Sequence, residues 1–136
     1  MEAHKDALVV HRLLRAEEHL QASRELYAKG YYLDSVSRSY YSVLSAARAI
    51  LATIGMDSAK HSGVISIFDK FFVKEGKLSV DASRIFHELK DYREKADYAD
   101  YPEITKEIAN NEILRAEKFL KEAMQYVESN QASGER

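Results

Sequence analysis

The stretch SVSRSYYSVLSAARAIL, residues 35 to 51, decides the reading of the fold. Val36, Tyr40, Val43, Ala47 and Ile50 recur at steps of three and four and continue to Ile54, the spacing that lines one face of an α-helix. No glycine or proline interrupts the run, and Gly55 ends it. On a 100° wheel Tyr40 lies inside this stripe, so it is expected in the core with its hydroxyl bonded. Tyr41, at about 140°, shares a flank with Ser37, Leu44 and Arg48, which makes Tyr41 and Arg48 candidates for a pocket or a subunit surface. Arg38, at about 200°, faces solvent unless a partner covers it.

The same period continues to either side of this segment. A first helix from about Lys5 to Lys29 carries Leu13, Ala16, Leu20, Ser23 and Tyr27 and stops at Gly30; the quoted helix itself starts near Leu33. A third, from about Ala59 to Lys74, has Val64, Phe68, Phe71 and Phe72 as its apolar face and Asp57 or Ser58 as its cap. Asp81 is expected to cap a fourth, in which Ala82, Ile85, Leu89, Tyr92 and Ala96 follow the rule until Pro102 breaks it. The fifth, from about Glu103 to Glu128, places Ala109, Ile113, Ala116, Leu120, Ala123 and Val127 in one stripe.

Five amphipathic helices with short connections predict an all-α, up-and-down antiparallel bundle over residues 1–128, followed by a polar, flexible tail, SNQASGER, over 129–136. The two longest segments, at ~1.5 Å per residue, are ~35 Å rods that leave flank surface for a second subunit. Twenty basic and 22 acidic residues nearly cancel to a net charge of -2. That balance, with no recognition helix, argues against DNA as a partner, although a local cationic pocket is compatible with it. The chain has no cysteine and so no disulfide framework or thiol nucleophile, and its charged start is expected to be neither a membrane span nor a signal peptide. A soluble, cytoplasmic protein is the expectation.

Chemistry concentrates in DYREKADYADYP, residues 91 to 102. Arg93 falls at about 80° from the core direction, at the edge of the buried stripe. Asp97, one turn on, can pair with it, yet a carboxylate there meets the unfavourable end of the helix dipole. Among the histidines, His61 stands out because the first turn of a helix favours a neutral imidazole, whereas His87 points away from the core. His4, His11 and His19 lack metal-ligand spacing, and no P-loop, paired-glycine fingerprint or nucleophile elbow occurs; no metal or cofactor is expected.

These residues resemble the HEPN domains, specifically a small stand-alone group of archaeal and bacterial proteins (UPF0332-like). The resemblance is carried in order by RSYYSVLSAARAIL (38 to 51), KHSGVISIFDKFFVKEGKL (60 to 78) and YREKADYADY (92 to 101), and covers nearly the whole chain. It implies a bundle that forms a homodimer, with a site at the end of the fourth helix near the dimer cleft. Many members are metal-independent ribonucleases, and some are toxins encoded beside a minimal nucleotidyltransferase that acts as antitoxin. Their motif is an arginine followed after four to six residues by histidine, the guanidinium offsetting charge on a phosphorane and the imidazole moving the proton of a ribose 2′-hydroxyl.

Arg93 matches that arginine, but Tyr98 occupies the four-spaced histidine slot, and a tyrosine of pKa ~10 is a poor base at pH 7. His61 can substitute if the third helix brings it to Arg93. The resemblance therefore implies a nucleotide- or RNA-facing site of Arg93, Asp97 and Tyr98, with His61 beside them, in a toxin–antitoxin-like pair with a small nucleotidyltransferase; Arg38, Tyr41 and Arg48 on the flank of the second helix, and Tyr101, are the further candidates for binding nucleotide or RNA. The competing expectation is a non-catalytic interaction module in which the same residues cap helices and tie subunits together.

Overall fold

A computed structural model describes residues 2–96, 98 and 103–134. The described residues form α1 (Glu2–Ala28), α2 (Tyr32–Ala52), α3 (His61–Phe68), a π-helical turn (Asp69–Val73), α4 (Val80–Ala96) and α5 (Lys106–Gly134). This is the expected all-α bundle. α5 continues to Gly134, past residue 128, where the sequence reading ends the bundle.

α2 touches all four other helices and is the axis of the molecule. Ile54, expected on its buried stripe, is 38% exposed because the helix ends at Ala52 and the chain turns away. In the other direction burial exceeds the expected single face, and Leu44, assigned to the flank, is in the core. Ser42, Ala46, Ala47, Ala49 and Ala52 are small enough for neighbours to approach on several sides.

Buried hydroxyls lock α1 against α2. The Ser23 hydroxyl lies 2.8 Å from the Ser35 carbonyl oxygen and 2.7 Å from the Ser39 hydroxyl, and Ser35 donates to the Ser23 carbonyl at 2.9 Å. One turn further on, Ser42 donates to the Ala16 carbonyl at 2.8 Å. Each bond satisfies a polar group that burial would otherwise penalise by about 1–3 kcal/mol, so the two helices have one favoured register.

The predicted helix over 59–74 is shorter and changes pitch. It starts at His61, and from Asp69 its bonds lengthen to the π pattern, with the Lys74 amide donating to the Asp69 carbonyl at 2.8 Å. Phe68 and Phe72 are both fully buried in this arrangement. Phe68 meets Phe86 edge-on at 5.7 Å and Phe119 at 5.4 Å, uniting α3, α4 and α5. Asp69 accepts from Ser83 at 2.7 Å and lies 2.8 Å from His87 Nε2, pinning the π turn to α4.

Three helix starts differ from expectation: α3 follows Lys60 with no side-chain cap, Asp57 and Ser58 bonding within the preceding loop instead. α4 is capped by Ser79, whose hydroxyl accepts from the Ala82 amide at 3.0 Å, and Asp81 in the first turn pairs with Arg84 instead. α5 begins after Thr105, which accepts from the Ile108 amide at 3.1 Å, rather than at Glu103. At the other end of α4, Tyr92 packs on Val36, Ile104 and Ala109 in a second, smaller core. That packing fixes the end of α4 on α2 and directs Arg93 to the neighbouring face.

Candidate functional site

Three helices converge on two consecutive tyrosines of α2. Tyr40 is fully buried, as its place in the stripe predicts, and Tyr41 is half-buried on the flank. From the last turns of α4, Arg93 lays its guanidinium 5.7 Å from the centre of the Tyr40 ring and 5.1 Å from that of Tyr41. Such a stack contributes roughly 0.5–2 kcal/mol and leaves the N–H edges of the guanidinium available to an acceptor.

His61, the first residue of α3, approaches the same pair from another side. Its Nδ1 lies 2.9 Å from the Tyr40 hydroxyl, and its ring meets Tyr41 edge-on at 6.1 Å. Burial, then the nearby charges of Arg48, Arg93 and Lys90, hold the imidazole below its ordinary pKa, with Glu94 opposing. Burial also pushes the Tyr40 phenol well above its usual range despite Arg93. Tyr40 therefore stays protonated and His61 neutral near pH 7. When the tyrosine oxygen accepts from Nδ1–H, the lone pair of His61 lies on Nε2, where it can take a proton from a ligand.

A clamp fixes where α3 begins. Arg12 pairs with Asp57 at 2.9 Å and donates to the Arg48 carbonyl at 3.0 Å, while Arg48 donates to the Ser58 carbonyl at 3.2 Å. Gly63 completes the arrangement, because a Cβ there would stand 2.0 Å from the Ser58 hydroxyl oxygen. Arg48, expected on a ligand- or subunit-facing flank, is thus engaged with the loop that precedes His61.

The remaining sequence candidates are distributed unevenly. Tyr98 is 71% exposed, its amide bonded to the Lys95 carbonyl at 3.1 Å, and Asp97, Tyr101 and Pro102 lie outside the described residues. Arg38 is exposed and contacts His19 Nδ1 at 3.1 Å. His87 is occupied by Asp69. His19, 5.8 Å from the Tyr41 ring, was not among the sequence candidates; the four-residue spacing of Arg15 and His19 puts them on one face of α1, but their meeting with α2 depends on the serine-locked register. Among the described residues no group of three or more His, Cys, Asp or Glu is placed to hold a metal ion, and no helix is long and apolar enough to cross a membrane.

The described residues define the class as an all-α helical bundle. The HEPN domain model matches residues 9–128, and the chain belongs to that family. It is 37% identical over 113 residues to a candidate toxin of Methanocaldococcus jannaschii, covering 83% of this chain and 77% of that one. A second candidate toxin of the same organism is 40% identical over 106 residues, 77% of this chain and 78% of the relative. A UPF0332 protein of Thermotoga maritima is 29% identical over 116 residues, 85% and 88% of the two chains.

Proposed function

We propose that this chain is a toxin-type HEPN protein whose Arg93–Tyr40–Tyr41–His61 cluster faces RNA. The observation that carries the reading is the convergence of Arg93 and His61 on one tyrosine pair. It supplies, from separate helices, the cation and the near-neutral imidazole that the family's usual motif places on one helix. Arg93 offsets negative charge on the phosphate, and His61 Nε2 moves the proton of the ribose 2′-hydroxyl. Tyr98, in the slot where related proteins keep histidine, is exposed and contributes contact surface rather than the base.

The names of the two archaeal relatives support the toxin reading. A toxin requires a partner that restrains it, and a minimal nucleotidyltransferase is the partner the family resemblance implies. A homodimer and a cytoplasmic location belong to the same reading; exposed Leu14, Leu33 and Tyr98 supply apolar surface for a subunit contact.

Induced expression in a bacterial host tests this. Growth arrest with cleavage of cellular RNA, relieved by Arg93→Ala and by co-expression of a minimal nucleotidyltransferase from the same genome, is the expected result. Expression that leaves growth and RNA intact, with a purified chain that binds no oligoribonucleotide, contradicts it.

A further inference from the structure

We propose that Arg15, His19 and Arg38 form a phosphate-binding subsite on the α1–α2 face, separated from Arg93 by the single ring of Tyr41. Assigning that phosphate to an RNA strand rests on the reading above; the subsite itself rests on its own geometry.

The His19 ring is held between two guanidinium groups, with Arg38 Nη1 3.1 Å from Nδ1 and Arg15 Nη2 3.4 Å from Nε2. A neutral imidazole offers one lone pair and one N–H, whereas a guanidinium only donates. In either tautomer one of the two contacts therefore sets a donor against a donor. Protonating the ring worsens the mismatch, since both contacts then oppose N–H to N–H and a third positive charge joins the cluster. Burial and the fields of Arg15 and Arg38 accordingly lower the His19 pKa, with Glu18 opposing.

An oxyanion resolves the mismatch. Its oxygens can accept from Arg15, Arg38 and the N–H of the His19 ring together, in the charge-assisted geometry that suits guanidinium groups. Space for it exists in a groove of about 680 Å³ bordered by these three residues, Ser37 and Tyr41. Two carboxylates lie nearby. Glu18 takes Arg15 Nη1 at 3.0 Å, leaving Nη2 toward His19, and Asp34 lines the groove.

The placement favours a strand over an isolated ion. Tyr41 carries Arg93 at 5.1 Å and lies 5.8 Å from the His19 ring that Arg15 and Arg38 flank, so one aromatic ring stands between Arg93 and this second group of arginines. An aromatic platform flanked by cations is how proteins hold single-stranded nucleic acid, with bases on rings and phosphates on arginines. The buried Ser23–Ser35–Ser39 bonds hold the register of α1 on α2 that brings Arg15 and Arg38 to the same groove.

The test combines two probes on the full chain. NMR titration of the His19 ring with and without inorganic phosphate should show its pKa rising when phosphate is present, and Arg38→Gln should abolish the rise. A short oligouridylate should bind the Arg15→Gln/Arg38→Gln variant at least fivefold more weakly, with a salt slope smaller by about 0.7, the loss of one phosphate contact. Both arginines are exposed, and circular dichroism checks that the variant folds. A His19 ring indifferent to phosphate, with oligouridylate binding unchanged in the double variant, overturns the subsite even if Arg93→Ala abolishes binding and the function proposed above stands. A ring that responds to phosphate while wild-type protein binds no oligouridylate keeps the subsite for a free phosphate and overturns the strand.

Discussion

The guanidinium carbon of Arg93 lies 5.1 Å from the centre of the Tyr41 ring, closer than to Tyr40. Tyr41 is thus the nearer aromatic support of the Arg93 guanidinium, and on the proposed function it positions that group for RNA. Tyr41→Phe keeps the aromatic face and should retain oligoribonucleotide affinity within about twofold. Tyr41→Ala removes the face, worth roughly 0.5–2 kcal/mol, and should weaken affinity by about 2- to 30-fold. Fluorescence anisotropy on the two variants separates the outcomes.

His61 and His19 both have folded pKa values below the ordinary value near 6.5, His61 through burial and then Arg48 and Arg93, His19 through burial and then Arg15. As pH falls through about 6.5 the unfolded chain takes up protons that the folded chain refuses, so stability falls with pH until the folded pKa values are passed. Buried Glu112 has a raised pKa and acts in the opposite sense, its contribution being lost as pH rises. Comparing wild type with His61→Gln/His19→Gln isolates the histidines. The urea midpoint should drop more between pH 7.5 and 5.5 in wild type than in the double variant.

Gly63 is needed where it stands. Gly63→Ala drives a methyl into the Ser58 side chain and should destabilise by roughly 1–3 kcal/mol. Ser58→Gly removes the obstructing atoms, so the double variant should recover most of the loss relative to Ser58→Gly alone. Thermal melts of the four proteins in this cycle measure the coupling.

Ser79→Ala should cost about 1 kcal/mol, through loss of the α4 cap and of its hydroxyl bond to Glu122 at 2.8 Å. Asp81→Ala, which breaks exposed pairs to Arg84 and Lys118, should cost under about 1 kcal/mol. Chemical denaturation distinguishes the observed cap, Ser79, from Asp81, the cap expected from sequence.

Hydrophobic period made the bundle legible. The stripe from Ala109 to Val127 is buried at every position named, and Tyr40 and Arg93 occupy the core and boundary places that the wheel assigns. Period alone does not encode pitch, so the π turn at Asp69–Val73 has the sequence pattern of continuous α-helix. Nor does it choose between nearby capping residues, so the sequence points to Asp81 where Ser79 caps the helix. The meeting of His61 with Tyr40 depends on the Arg12–Asp57–Arg48 clamp, and that of His19 with Tyr41 on buried serines. Both are long-range contacts between polar residues, which a helical wheel reports only as flank positions.

The affinity of the purified chain for a short single-stranded oligoribonucleotide, measured for wild type and Arg93→Ala with a thermal melt of each, addresses the central claim most directly. Arg93 facing RNA predicts at least tenfold weaker binding in the variant, while a melt lowered by only a few degrees shows that the bundle persists. Equal affinities in two folded proteins, or a variant that loses stability and no binding, would contradict it and leave Arg93 as a tie between α4 and α2.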